Sequence, residues 1–141
     1  MYIDTTYIAK FYLNEPESDR VRALVRTADA VFSSMWAYAE FHSVLHRHCR
    51  EDSLTVGNAR ELARMFSDHI ALGLWKLVPI NEALLRRTGT LMIAAPDGLF
   101  IRTADAVHLT TAVEIGESEV WTNDRHMLAA AAYFGIGGRS V

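Results

Sequence analysis

Four acidic residues stand where the chain passes from a strand into a helix or starts a helix. Asp4 follows the apolar Met1-Tyr2-Ile3, and Asp124 follows Glu119-Val120-Trp121-Thr122 by two residues. Glu40 lies near the start of a helical stretch, and Asp105 lies in the first turn of another. Carboxylates brought together raise one another's pKa values, and proteins accept such a grouping when a cation neutralises it. An all-oxygen donor set of this hardness selects Mg²⁺ or Mn²⁺ over zinc. The matching chemistry is phosphodiester hydrolysis, in which the cation activates a water for in-line attack on phosphorus and stabilises the departing oxygen. Taken singly, Asp4, Asp105 and Asp124 also suit the plainer role of acidic residues at helix N-termini. Glu40 does not, because it sits inside the apolar stretch Met35 to Phe41, where a lone charge is costly.

The elements that must position these groups follow from periodicity and capping residues. Met1 to Ile3 reads as a short strand, and Asp4-Thr5-Thr6 as a capping run before a helix over Tyr7 to Leu13. Val21, Leu24 and Val25 carry the helical spacing of a second helix, Glu17 to Ala28. Ala30 to Phe32 is β-like, and Ser33-Ser34 caps a helix from Met35 to about Arg50. Thr55 to Leu74 repeats the helical period, so the two form a long αα hairpin. Lys76 to Ile80 gives a third strand. Asn81 caps a helix that Pro96-Asp97-Gly98 ends. Thr103 caps a helix through Glu114, Glu119 to Thr122 is a fourth strand, and Asp124 to Phe134 the last helix, with an edge strand within Ile136 to Val141. Short apolar strands alternating with helices predict one α/β domain over residues 1–141: a short, mostly parallel sheet flanked by helices on both faces, with a protruding αα hairpin. Ligands of such sheets bind beyond the carboxyl ends of the strands, where all four acids then converge.

A formal net charge of −3 removes any general attraction to nucleic acid, so a polyanionic substrate needs local basic residues or bound cations. Arg47, His48 and Arg50, with Arg20, Arg22 and Arg26, offer such charge, and Arg102 and Arg125 adjoin two of the acids; a solvated helix face accounts for each equally well. Cys49 is the single cysteine, which excludes an internal disulfide and suits a reducing cytoplasm. The acidic start lacks the marks of a signal peptide, and no apolar run reaches membrane-spanning length, so neither export nor membrane insertion is expected.

The same residues resemble the PIN-domain pattern of VapC-type toxins. Ile3-Asp4-Thr5-Thr6 followed by Lys10-Phe11-Tyr12 and Glu15-Pro16-Glu17 is similar to the first acidic motif of that family. Ala37 to Leu45 is similar to the second, Arg102 to Leu109 with Thr111-Ala112 to the third, and Trp121 to Arg125 to the fourth. The resemblance implies a PIN-like three-layer sandwich and a Mg²⁺- or Mn²⁺-dependent endoribonuclease, the toxin of a toxin–antitoxin pair, typically a homodimer. It implies Asp4, Glu40, Asp105 and Asp124 as the metal-binding set and Thr122 as a hydroxyl that orients Asp124 or a water on the metal. The family also contains RNA-processing nucleases and supports a non-catalytic binding module as a further reading, although such modules are expected to have lost an acid and all four are present here. A haloacid-dehalogenase-like phosphatase needs a second Asp two residues after the first, where this chain has Thr6.

Among other residues, His42 and His46 have the i,i+4 spacing of a shared metal but no third ligand, and read as ordinary histidines. His108 reads as a satisfied core histidine and Cys49 as structural. Trp36, Tyr38, Trp75, Tyr133 and Phe134 are read as mostly core, with some left for a dimer surface or an antitoxin groove.

Overall fold

A computed structural model describes residues 1–141. Five strands, β1 (Tyr2–Ile3), β2 (Val31–Ser34), β3 (Trp75–Val78), β4 (Glu119–Trp121) and β5 (Gly137–Arg139), form one sheet in the order β3-β2-β1-β4-β5. Every neighbouring pair is parallel, so the sheet expected to be mostly parallel is wholly so. Around it lie α1 (Thr5–Tyr12), α2 (Ser18–Arg26), α3 (Trp36–Arg50), α4 (Val56–Ala71), α5 (Glu82–Ile93), α6 (Thr103–Glu114) and α7 (Arg125–Ala131), followed by a 3₁₀ turn over Ala132–Phe134. No helix is long and apolar enough to cross a membrane.

Central β1 has only two residues, both fully buried, and they face opposite ways. Ile3 joins a core with Ile8, Phe41, Leu45, Phe66 and Trp75, built mainly from α1 to α4. Tyr2 joins a second core with Leu109, Met127, Ala130 and Phe134 on the other face. These two cores make the three layers. Aromatic side chains fill the first: the Phe41 and Phe66 rings lie 4.6 Å apart and join α3 to α4. Trp75 Nε1–H donates to the Tyr12 hydroxyl at 2.7 Å, which also meets His69 Nδ1 at 2.7 Å, so these polar atoms are partnered within the core. Phe66 is the one fully buried residue of α4, which leaves the hairpin projecting from the sheet.

Several boundaries differ from the sequence reading, each for a local reason. Ser33 and Ser34 belong to β2. Ser33 Oγ donates to the Ile3 carbonyl at 2.8 Å, while Ser34 Oγ accepts the Trp36 N–H at 3.2 Å and so caps α3 from a strand position. Thr103 is the first helical residue of α6, and Arg102 takes the cap position without a side-chain cap bond. The last helix stops at Ala131 because the chain tightens into the 3₁₀ turn, closed at Gly135 with φ +78°. The C-terminal edge strand forms over Gly137–Arg139, where a Cβ on Gly138 would stand 3.0 Å from Leu128 Cδ2 and 3.2 Å from its carbonyl oxygen. Glycine there lets β5 lie against α7.

Phe41 adjoins Glu40 and has no exposed surface. Phe41→Ala is expected to destabilise the protein by roughly 3–5 kcal/mol through the cavity it opens. In urea unfolding this should appear as a lower midpoint with an unchanged slope.

Candidate active site

Because all five strands run the same way, their carboxyl ends share one edge, and Asp4 and Asp124 follow the adjacent strands β1 and β4 there. Both are helix caps, and each uses one oxygen for that task. Asp4 Oδ1 accepts the Tyr7 N–H at 3.0 Å, and Asp124 Oδ1 accepts the His126 and Met127 N–H groups at 2.7 and 3.2 Å. Their second oxygens are held by side chains: Thr122 Oγ1 donates to Asp4 Oδ2 at 2.6 Å, and Arg102 Nη2 donates to Asp124 Oδ2 at 2.5 Å. The same Thr122 hydroxyl accepts the Asp124 N–H at 2.9 Å, so one fully buried oxygen ties the two acidic caps together.

Glu40 comes from α3, where Glu40, Val44 and Arg47 form one stripe facing the cleft. Its Oε2 accepts from the Thr5 hydroxyl and from His108 Nε2 at 2.9 Å; the other ring nitrogen of His108 meets the Tyr2 hydroxyl, also at 2.9 Å. Asp105, in the first turn of α6, takes both of its hydrogen bonds from Arg102, Nε at 2.8 Å and Nη2 at 3.1 Å. All four acids line one cleft of about 420 Å³, together with Glu15, Thr5, Thr6, Arg47, Arg102 and His108.

The four carboxylates are not equivalent. Burial pushes the Asp4 carboxyl above its ordinary range, and the bonds from Thr122 and Tyr7 only partly oppose it. Burial also acts on Glu40, but the bond and charge of His108 and the Thr5 hydroxyl outweigh it and hold Glu40 below the usual range. Asp124 is held low in the same way: burial is outweighed by the His126 N–H, Arg102 and the Met127 N–H. Of these three, Asp4 is therefore the group whose ionisation most needs a nearby cation.

As the side chains lie, no three His, Cys, Asp or Glu residues stand close enough together to clasp a metal ion. The cation among these acids is the Arg102 guanidinium. The donors suit a hard divalent cation nonetheless: they are oxygens throughout, one is a penalised buried carboxylate, and two already hold a positive group. Arg102, read from sequence as equally a flank for a polyanion or a solvated residue, pairs instead with Asp105 and Asp124. Arg125 is exposed and does not line the cleft, and Arg22 is spent on the carbonyls of Lys10, Phe11 and Leu13 at the end of α1. His42 meets the Tyr38 carbonyl and His46 is exposed, with no shared metal grouping.

Sequence reasoning missed His108 as a partner of Glu40, the inward turn of Arg102, and Glu15 in the cleft lining. Spacing carried a signal for the first two, since Arg102 and His108 each lie three residues from Asp105, on the same side of α6.

A family model described as PIN domain matches residues 1–133. Ribonuclease VapC46 of Mycobacterium tuberculosis is 31% identical over 139 residues, which cover 96% of this chain and 93% of that protein. Ribonuclease VapC45 of the same species is 29% identical, with 94% and 90% covered. Among solved structures, M. tuberculosis VapC20, described as a sarcin-ricin loop cleaving toxin, superposes with a TM-score of 0.73 at 17% identity over 92% of this chain and 93% of its own. FitAB bound to an IR36 DNA fragment does so with a TM-score of 0.75 at 19% identity over 99% and 93%. Identities this low speak for the fold alone.

Asp4→Asn keeps an oxygen for the Tyr7 N–H and removes a desolvated charge. A group whose folded pKa is raised favours folding at low pH and loses that contribution as pH rises through the folded value. Without divalent cation at neutral pH, Asp4→Asn should therefore melt higher than the parent, by roughly 2–4 °C if the charge costs about 1 kcal/mol. The difference should shrink as pH falls and Asp4 takes up its proton, and thermal melts in EDTA across a pH series measure it.

Proposed function

The chain belongs to the PIN-domain family, and from that premise we propose that it is a Mg²⁺- or Mn²⁺-dependent endoribonuclease, the toxin of a toxin–antitoxin pair, acting as a homodimer in the cytoplasm. The observation that carries this reading is the convergence of Asp4, Glu40, Asp105 and Asp124 on one cleft at the carboxyl edge of the sheet. Relatives named ribonucleases, matching nearly the full chain, support the choice of RNA.

Those four residues would hold the divalent cation. When bound, it supplies neutralising charge and Lewis acidity at a scissile phosphate. The protein's own part is to keep the carboxylates ionised and in register. Thr122 fixes the free oxygen of Asp4 and the backbone of Asp124 with one hydroxyl. His108 and Thr5 hold Glu40 in its charged form, and the Tyr2 hydroxyl fixes the far side of the imidazole. Arg47, seven residues along α3 from Glu40, lines the same cleft and offers the RNA backbone a positive charge that the acidic chain as a whole does not. Met35, Trp36 and Tyr38 are exposed together at the start of α3, and this apolar patch supports a protein partner.

One observation favours a second reading, a non-catalytic module of the same fold: Arg102 occupies two of the four acids. The deciding experiment is cleavage of a mixed RNA pool, tRNA included, by purified protein with Mn²⁺ or Mg²⁺. Defined fragments should form, vanish with EDTA, and fall at least roughly 100-fold in rate in an identically purified Asp4→Asn variant. Cleavage that survives Asp4→Asn would remove the site assignment, and silence towards every RNA in a protein that binds no metal would select the binding module. Light scattering of the concentrated protein should give twice the chain mass; a clean monomer would overturn the dimer.

A further inference from the structure

Arg102 is the only arginine or lysine ion-paired with any of the four acids, and it bridges two that lie on different elements. Its Nε and Nη2 occupy both oxygens of Asp105, and Nη2 also reaches Asp124. Asp105 has no other hydrogen-bond donor. A cation that ligates Asp105 must therefore compete with the guanidinium for the same oxygens. Conversely, a guanidinium that leaves strands a carboxylate whose side chain is only 7% exposed, which is unfavourable unless another positive charge arrives.

The two sides of the pair are built differently. The Asp105 side chain is anchored in the first turn of α6, whereas that of Arg102 is 50% exposed and stands at the cap position with no cap bond. It can turn into solvent without opening either core. Resting on the reading of the cleft as a divalent-cation site, we propose that Arg102 is an exchangeable counter-cation. It holds Asp105 and Asp124 while the metal is away, yields both carboxylates when the metal enters, and then stands at the cleft mouth as a free guanidinium for a phosphate of the incoming polyanion. The fork geometry of arginine suits both partners, since carboxylate and phosphate each accept it through two parallel hydrogen bonds. Metal loading and presentation of a phosphate-binding group thereby become one event.

The full-length protein tests this without reference to turnover. In ¹⁵N spectra of the arginine side chains, the Arg102 Nε–H signal should shift and exchange faster with water as Mg²⁺ is added. By calorimetry, Arg102→Gln should bind Mn²⁺ about tenfold more tightly than the parent, as expected if the parent's carboxylates are free about a tenth of the time. Arg102→Lys, which keeps the charge and loses the fork, should fall between. An Arg102 signal unchanged at saturating Mg²⁺, or Mn²⁺ binding no tighter in a folded Arg102→Gln, would overturn the exchange and leave the nuclease reading standing. No metal binding by the parent or either variant would overturn the metal-dependent reading and the exchange with it. The parent spectrum decides the matter even if Arg102→Gln fails to fold.

Discussion

Like charges gathered in one cleft raise the cost of ionising each of them, so every carboxylate there must meet donors that the chain itself supplies. Asp4 and Asp124 meet this demand through helix geometry. Each caps a helix with one oxygen, taking N–H groups that would otherwise lack partners, and this leaves the other oxygen for Thr122 or Arg102. The cap role uses only one oxygen of each residue, so it leaves room for the proposed chemical role of the other. Glu40 and Asp105 have no such cap and depend on side chains alone, His108 and Thr5 for one and Arg102 for the other. Asp4 remains under-compensated, because its hydrogen-bond donors are neutral and it is buried.

The scaffold serves this arrangement by keeping the edge of the sheet narrow. With β1 only two residues long and β4 only three, the chain reaches the carboxyl edge almost at once on both adjacent strands. Glu40 reaches the same edge from one face, carried by a helix whose Phe41 is locked into the aromatic core. Asp105 and His108 reach it from the other, on the helix that packs between Tyr2 and Met127. The His108–Glu40 contact therefore spans the two layers of helices, and the Tyr2 hydroxyl beneath it comes from the strand between them.

Much of this was readable from residue order, and the exceptions have physical causes. Short apolar strands alternating with capped helices are enough to predict a parallel three-layer fold, because few other arrangements bury both faces of such strands. The places of Asp4 and Asp124 were legible for a related reason: residues directly after adjacent parallel strands share one edge, whereas Glu40 and Asp105 reach that edge on helices α3 and α6. Ser33 and Ser34 were read only as a cap because a serine that ends a strand and a serine that caps a helix look alike in sequence, and Ser34 does both. His108 shares a helix side with Asp105, but its flanks Val107 and Leu109 point to the core, and its partners Tyr2 and Glu40 lie 106 and 68 residues away, so its spacing alone could not name them. β5, with the sequence Gly-Gly-Arg, has almost no strand propensity and forms because Gly138 allows close packing on α7, a tertiary reason.

The distribution of positive charge bears on how an acidic protein can hold an acidic polymer. With 17 acidic against 14 basic residues, long-range attraction is absent and binding must be decided within a Debye length of the cleft. Two guanidinium groups line it, Arg47 on the stripe that begins with Glu40, and Arg102 among the acids themselves. A phosphate that approached the bare carboxylates would be repelled, and one that met only the arginines would bind without reaching the site of chemistry. An arginine that neutralises the acids in one state and is free in another resolves this conflict with one side chain. It also explains why that side chain is half exposed while the Asp105 carboxylate it serves is buried.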